Sequence, residues 1–169
     1  MGVRKVLIIR HGETDHNVAR RIQGSLPTSL NANGVLQAQA LGLYLKSQNI
    51  ECLYTSTLER ASHTAKLIAE VTGTVVIEDE RLQEMNFGVF EGKTFLEIEQ
   101  QFPREYAGWA SRNLDFAVPD GESRRGVMQR MASAWQDVMR TDAETVGIVS
   151  HGLAIRLLLQ YLFYKPPTH

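Results

Sequence analysis

The chain has 169 residues, a hydrophobic fraction of 43% and a formal net charge of −1. This length and apolar content can bury one core, which predicts a single domain over residues 1–169. The near-neutral charge and the lack of a long basic run argue against a surface that neutralises many phosphates of nucleic acid or of an anionic bilayer. We therefore expect no nucleic-acid or membrane partner.

The cysteine content and the N-terminal sequence allow a prediction of the cellular compartment. Cys52 is alone in the sequence, so no intrachain disulfide can form, and its apolar neighbours suit a buried small side chain. The apolar run of residues 6–9 is far shorter than the core of a signal peptide or a membrane span. These features predict a soluble, cytoplasmic protein.

Short apolar runs alternate with helical patterns along the chain. Strands are predicted over 3–9, 52–55, 74–77 and 144–149, and helices over 32–47, 58–71 and 122–140. Asn31 is the expected N-cap of the first helix, and Gly73 closes the second. Residues 85–121 break the alternation with two short helical stretches, around 95–102 and 104–112. The pattern predicts an α/β fold, a three-layer α/β/α sandwich with a mostly parallel central sheet.

The first and last predicted strands end alike. Their endings are Arg10-His11-Gly12 and Ser150-His151-Gly152. Ligands collect at the carboxyl ends of parallel strands, so both imidazoles are expected in one crevice. Arg60 follows the strand predicted over 52–55 and adds a cation, and phosphate matches the forked donors of arginine. The residues themselves therefore indicate a local phosphate site.

Five ordered motifs resemble those of the histidine phosphatase superfamily, also called the phosphoglycerate mutase-like family. They are Arg10-His11-Gly12-Glu13-Thr14 with Asn17 and Gln23-Gly24, Leu58-Glu59-Arg60-Ala61 with Thr64-Ala65, residues 82–88 with Glu91-Gly92, Gly121-Glu122-Ser123, and residues 150–156. The resemblance covers residues 3 to about 160. Five motifs in register are far more specific than one tripeptide. The resemblance implies a phosphoglycerate mutase-like fold and an enzyme that works through a phosphohistidine.

The resemblance also implies residue roles. His11 is the expected nucleophile, and Arg10, Arg60 and His151 are expected to bind the non-bridging phosphate oxygens. Glu84 is expected to protonate the leaving group and then to help deprotonate the attacking water. Expected further contacts to phosphate or substrate come from Thr14, Asn17, Gln23, Gly24 and Gly152.

Other chemistries fit the sequence less well. The His-Glu-x-x-His spacing of a zinc site, an aspartate cluster that suits magnesium and the Gly-x-Ser-x-Gly elbow of a serine hydrolase are all missing from the sequence. We therefore expect no metal and no cofactor. The pair Arg124-Arg125 is interpreted most simply as a solvated face, although it could reach a second acidic group on a substrate.

Three functions stay open within the resemblance: a phosphatase of small phosphorylated metabolites, a cofactor-dependent phosphoglycerate mutase, and a phosphate-binding module without activity. A mutase shelters its phosphohistidine with a longer insertion, whereas only about 37 residues separate Glu84 from Glu122 here. The short excursion favours the phosphatase. A binding module would be expected to lack one of the histidines or arginines, and all are present.

Two regions leave questions. The excursion carries aromatic residues that could form a pocket wall or simply pack on the sheet: Phe87, Phe90, Phe95, Phe102, Tyr106 and Trp109. The sequence stops at residues 165–169, where relatives usually continue into a final strand. That ending is consistent with a truncated chain, with a minimal family member, or with a sheet edge that a second subunit covers. The last possibility predicts a homodimer.

Overall fold

A computed structural model describes residues 2–164. In it, four parallel strands form a sheet in the order β1-β4-β2-β3. The strands are β1 Lys5–Arg10, β2 Cys52–Thr55, β3 Val75–Glu78 and β4 Thr145–Ser150. Each predicted strand is therefore present within one or two residues of its expected bounds. Cys52 is half-buried rather than buried, because β2 is short and its first residue lies near the edge of the core.

Seven helices connect or flank the strands. They are α1 Asp15–Val18, α2 Ala32–Leu45, α3 Glu59–Thr72, α4 Phe95–Gln101, α5 Pro103–Ala110, α6 Arg124–Val138 and α7 Gly152–Phe163. The side chain of Asn31 caps α2, and Gly73, at a φ of 73°, closes α3, as predicted. The pattern did not predict α1 or α7. Most side chains of α7 are apolar, and Leu159, Tyr161 and Phe163 are exposed on it, so its polar face is narrow.

The side chains of β1 and β4 point alternately to the two sides of the sheet and pack against helices on each side. Leu7 and Ile9 of β1 pack in the core formed with α2 and α3, whereas Val6 and Ile8 face the core formed with α6 and α7. The helices thus cover the sheet on both sides. The predicted α/β/α sandwich is confirmed.

The strand register brings the strand ends together. Arg10 of β1 pairs with Ser150 of β4, and Thr55 of β2 pairs with Val149. The next residue of each strand therefore leaves the sheet at the same edge. The backbone N–H of His11 donates to the carbonyl of Ser150 at 3.1 Å, which fixes the turn that follows β1.

The excursion between β3 and α6 packs over this edge. Phe90 is fully buried and stacks against Phe102, whereas Phe95 is about half exposed. The aromatic residues therefore divide between packing and wall positions. None of the helices within residues 2–164 is both long and apolar enough to span a membrane.

The edges of the sheet, within the described part of the chain, are β1 and β3. Residues 165–169, where we expected the chain to stop short of a further strand, lie outside the described residues. The expected homodimer stays a prediction.

Candidate active site

A cavity of about 250 Å³ opens at the carboxyl ends of the strands. Eight of the ten predicted site residues line it: Arg10, His11, Asn17, Gln23, Gly24, Arg60, Glu84 and Gly152. The other two, Thr14 and His151, are fully buried directly behind the lining. Segments far apart in the sequence therefore meet at one site, as the parallel sheet predicted.

His11 is held in one orientation. Its Nδ1 lies 2.7 Å from the carbonyl oxygen of Gly12, and because a carbonyl only accepts, Nδ1 carries the proton and Nε2 keeps its lone pair. Burial, and then repulsion by Arg60 and Arg10, lower the pKa of His11 to about 4, although the hydrogen bond to Gly12 opposes this shift. The ring is therefore neutral near pH 7.

The backbone beside His11 is packed so closely against α2 that position 12 has no room for a side chain. A Cβ on Gly12 would strike the backbone of Gly34 in the first turn of α2. The backbone N–H of Gly12 donates to the hydroxyl of Thr64 at 3.0 Å, and that hydroxyl donates to the carbonyl of Arg60 at 2.7 Å. Helices α2 and α3 thus fix the position of His11 through the backbone beside it.

His151 lies against His11, with the two ring centroids 5.1 Å apart. Its Nε2 is 2.8 Å from the hydroxyl of Ser56, the residue that follows β2, and its Nδ1 has no hydrogen-bond partner among residues 2–164. Burial, reinforced by Arg60 and His11, lowers the pKa of His151 well below the usual histidine value. Both imidazoles are therefore neutral in the free site, beside the charged guanidinium of Arg60. Burying four like charges together would cost too much.

Arg60 is almost fully buried and anchors the loop that follows α1. Its Nη1 donates to the carbonyl of Leu26 at 3.1 Å and to Thr28 Oγ1 at 3.0 Å, and its Nη2 donates to the carbonyl of Gly24 at 2.6 Å. Burial lowers the pKa of Arg60 to about 10, so the guanidinium stays charged near neutral pH. Of its five N–H donors, the Nε–H and one Nη2 N–H have no partner in the described chain.

Arg10 reaches the cavity from the other side. Its side chain is exposed, and a Cβ on Gly152 would lie 3.5 Å from its Cζ. Gly152 is the first residue of α7, so its missing side chain lets the guanidinium lie close to the start of that helix. The two arginines therefore approach the cavity from opposite parts of the sheet edge.

Thr14 does not line the cavity but holds two polar residues that do, Asn17 and Gln23. It caps α1 through a reciprocal pair of hydrogen bonds with Asn17. Its hydroxyl also donates to Gln23 Oε1 at 2.8 Å, which accepts a second bond from Thr28. Gly24 follows at a φ of 50°, and a Cβ there would strike Glu91. These contacts hold Asn17 and Gln23 at the cavity wall.

Glu84 lies at the N-terminus of α7. Its Oε1 accepts the backbone N–H groups of Met85 at 2.9 Å and Ala154 at 3.0 Å, and its Oε2 accepts that of Leu153 at 3.1 Å. The carboxylate caps a helix whose N-cap, His151, supplies no side-chain bond. The carboxyl group is thereby fixed at the cavity, and Oε2 has the spare acceptor capacity.

Arg130 and Glu122 hold the backbone around Glu84. The guanidinium of Arg130, on α6, donates to the carbonyls of Gln83 at 2.7 Å and Glu84 at 2.9 Å. It also pairs with Glu122 at 2.9 Å, and Glu122 accepts the backbone N–H of Asn86 at 2.9 Å. The Gly-Glu-Ser motif therefore acts at a distance, by fixing the backbone on either side of Glu84.

The sequence reasoning missed several residues of the site. Those that line the cavity are Arg21, Ile22, Leu153 and Arg156. Phe87 and Phe95 also line it, which agrees with the pocket-wall alternative for the aromatic residues. Ser56 could have been found, since it follows a predicted strand just as the two histidines do. The interpretation of Arg124 as part of a solvated face was wrong: it is 8% exposed and its guanidinium lies 3.5 Å above the ring of Trp109. Its neighbour Arg125 is exposed and pairs with Asp115.

Within residues 2–164 no three histidine, cysteine, aspartate or glutamate side chains come together as a metal-binding group would. The assembled groups are a neutral imidazole with a free Nε2, two guanidinium groups and a fixed carboxyl group. Such an arrangement can bind a phosphate group and bring a nucleophile to it.

Comparison with known proteins places the chain in a family. A family model described as histidine phosphatase superfamily (branch 1) matches residues 6–169. The probable phosphoglycerate mutase GpmB of Serratia proteamaculans is 36% identical over 163 residues, which cover 96% of this chain and 76% of that protein.

Two solved structures are similar throughout the chain. A mycobacterial glucosyl-3-phosphoglycerate phosphatase is 33% identical with a TM-score of 0.87, over 97% of this chain and 82% of that one. The alpha-ribazole phosphatase of Shigella flexneri is 31% identical with a TM-score of 0.82, over 95% and 80% of the two chains. The chain belongs to the histidine phosphatase superfamily, and these relatives support an enzyme that acts on phosphate esters.

Proposed function

We propose that this protein hydrolyses small phosphomonoesters through a phosphohistidine on His11, without a metal ion. The observation that carries the proposal is the state of His11: neutral, with Nδ1 tied to the Gly12 carbonyl and Nε2 free, beside the charged Arg60. A neutral imidazole nitrogen is a competent nucleophile towards phosphorus.

In the first step, His11 Nε2 attacks the phosphorus atom and the bond from phosphorus to the ester oxygen breaks. The charge on the non-bridging oxygens is stabilised by Arg10 and by the N–H groups of Arg60 that its loop contacts leave unused. Asn17 and Gln23 add polar groups at the wall. Most of the rate enhancement comes from this positioning and preorganised charge.

His151 supports the same step from behind His11. Ser56 can donate to its Nε2 across 2.8 Å, which leaves the proton of the neutral ring on the unpartnered Nδ1. A bound phosphate dianion would also raise the pKa of His151, because an opposite charge favours the protonated ring. His151 is therefore proposed to donate a hydrogen bond to phosphate once the substrate is in place.

Glu84 is proposed to move the protons. Its Oε2 gives a proton to the leaving alkoxide in the first step. In the second step water attacks the phosphohistidine, Glu84 takes the proton of that water, and the nitrogen–phosphorus bond breaks to release phosphate. The enzyme returns to its starting state, and the net reaction is ester plus water to alcohol plus phosphate.

A phosphoglycerate mutase is the second candidate, and the name of the Serratia relative favours it. The phosphatase is preferred because the excursion between Glu84 and Glu122 is short, and because two structural relatives carry phosphatase names. A mutase must keep water from its phosphohistidine long enough to return the phosphoryl group to a second hydroxyl.

The test is phosphate release from a panel of small phosphomonoesters in excess chelator, with His11→Ala in parallel. The panel includes 3-phosphoglycerate together with its bisphosphate. We expect release that survives the chelator and disappears in the variant, with an acid-labile phosphoryl label on the wild-type protein. Isomerisation with little net release would establish the mutase instead. No turnover that depends on His11 would overturn the enzymatic proposal.

A further inference from the structure

A second cationic site lies next to the His11 cavity. A cavity of about 320 Å³ is lined by Trp109, Arg112, Leu114, Arg124, Leu153, Arg156, Leu157 and Gln160. Three of these residues are arginines and none is acidic. Such a cluster is unfavourable unless an anion neutralises it, and guanidinium groups bind phosphate and carboxylate through paired N–H donors.

Arg124 is built into this site. Its Nη2 donates to the carbonyl of Trp109 at 3.0 Å, and its guanidinium lies flat above the indole ring. The residue is 8% exposed, and its Nη1 is buried without a hydrogen-bond partner in the described chain. Burial, and then repulsion by Arg112 and Arg156, lower the pKa of Arg124. The guanidinium is therefore held in place, and one of its nitrogens is satisfied by no described residue.

The remaining cations are not used elsewhere. Arg112 and Arg156 are exposed and form no ion pair within residues 2–164, whereas the adjacent Arg125 is taken up by Asp115. The three arginines come from the end of the excursion, the start of α6 and the second turn of α7. Tertiary folding thus gathers like charges that are far apart in the sequence.

The second cavity adjoins the first. Leu153 and Arg156 line both. Phe87, in the wall of the His11 cavity, packs edge-on against Trp109 with ring centroids 5.2 Å apart. A ligand whose phosphate lies at His11 can therefore extend past Leu153 towards Arg124.

We propose that Arg112, Arg124 and Arg156 form a subsite for a second anionic group of the substrate, a carboxylate or a second phosphate. The inference rests on the proposed phosphatase function and names its substrate class: phosphomonoesters that carry another anion away from the reacting phosphate. The subsite binds and orients, and takes no part in proton or phosphoryl transfer.

The test compares matched substrates that differ in one anionic group. The pairs are 3-phosphoglycerate with glycerol 3-phosphate, and fructose 1,6-bisphosphate with fructose 6-phosphate, which probe different reaches. We expect the doubly anionic member of at least one pair to have the higher kcat/KM. Arg124→Met should lower that preference roughly ten- to hundredfold, the range for losing hydrogen bonds to a charged group. Arg124→Lys should keep part of it.

Two further variants separate binding from folding. Arg112→Met removes an exposed side chain and should reduce the preference without disturbing the packing on Trp109. Arg125→Met removes the adjacent arginine on the same helix, which does not line the cavity, and should leave the preference unchanged. Equal preference in the wild type and in Arg124→Met and Arg112→Met, or the same loss in Arg125→Met, would overturn the subsite.

Binding to His11→Ala, measured by calorimetry with the same pairs, tests the subsite without turnover. A Kd ratio that favours the doubly anionic member and collapses in the double variant with Arg124→Met supports it. A ratio that Arg124→Met does not change overturns it. Absence of phosphate release by the wild type would count against the phosphatase alone.

Discussion

Two neighbouring arginine-containing regions differ in what they can do. The His11 cavity combines Arg10 and Arg60 with a free imidazole nitrogen and a fixed carboxyl group. The cluster around Arg124 has three guanidinium groups, an indole ring and apolar walls. Both contain a buried arginine with a nitrogen that no described residue satisfies. The first region can therefore make and break bonds, whereas the second can only hold an anion.

The difference comes from the parts of the fold that build each region. The His11 cavity stands on the ends of β1, β2 and β4, whose register is fixed by the sheet. The Arg124 cluster joins the excursion to the start of α6 and the second turn of α7. Catalytic groups must be positioned to within fractions of an ångström, and the rigid ends of paired strands can hold them that precisely. Specificity can be assembled from segments that pack over that edge.

The largest expected effect comes from replacing Glu84, the proposed general acid and base of the His11 cavity. Glu84→Gln should lower kcat for alkyl phosphomonoesters by about 10²–10⁴-fold, the usual contribution of general acid catalysis. Hydrolysis of p-nitrophenyl phosphate, whose leaving group needs no proton, should be limited by the second step instead, with a burst of p-nitrophenolate. Equal loss on both esters, without a burst, would show that Glu84 does not protonate the leaving group.

The two buried arginines should respond differently. Arg60→Gln is expected to lower kcat/KM by about 10²–10³-fold on both members of each substrate pair, because Arg60 is proposed to bind the transferred phosphoryl group. Arg124→Met should instead act on the doubly anionic member. Thr28→Val removes one contact between Arg60 and its loop but leaves the guanidinium, so it should cost much less. Selective loss in Arg60→Gln would reverse the assignment of the two regions.

A third change tests how closely Glu84 must be held. Arg130→Met removes the donors to the carbonyls of Gln83 and Glu84, and kcat should fall by about 10–100-fold as the carboxyl group shifts. A positioning role predicts that the double variant with Glu84→Gln is little slower than Glu84→Gln alone. Fully additive losses would show that Arg130 acts through some other group.

The smallest effect concerns pH and stability. The pKa of His11 is about 4 in the folded chain, against 6.5 ordinarily, so between these values the unfolded state binds more protons. Stability should therefore be complete above pH 6.5 and fall as pH decreases towards 4, by about 3 kcal/mol from His11.

Two measurements check this expectation. Urea unfolding at pH 7 and pH 4.5 should show a smaller pH dependence in His11→Gln than in the wild type. An NMR titration of the His11 ring should give a pKa near 4. A titration near 6.5 would mean that the imidazole is more solvated than its burial indicates.

Local pattern was sufficient for the strands and most helices. Apolar runs predicted all four strands, and Asn31 and Gly73 marked helix ends because capping depends on neighbouring backbone groups alone. Helix α7 was not predicted, because apolar residues dominate its sequence and its polar face is narrow.

The site was predictable only in part. Strand-end logic and the ordered motifs brought eight of ten residues to the cavity lining. The neutral state of the histidines was not predictable, because it depends on how deeply the two rings are buried beside Arg60. The burial of Arg124 was also missed: one arginine of an adjacent pair faces solvent and the other lies on Trp109, and no sequence period distinguishes them.

The sequence alone established the family, the parallel α/β architecture and the residues that gather at the strand ends. The family rests on the resemblance of five ordered motifs, whereas the architecture and the strand-end residues follow from short-range patterns: apolar runs, helix caps and the residues placed directly after strands. Folding in three dimensions decided that both imidazoles are neutral, what Glu84 caps and which arginines meet around Trp109. These properties depend on desolvation and on contacts between segments 15 to about 95 residues apart, and no local pattern encodes them.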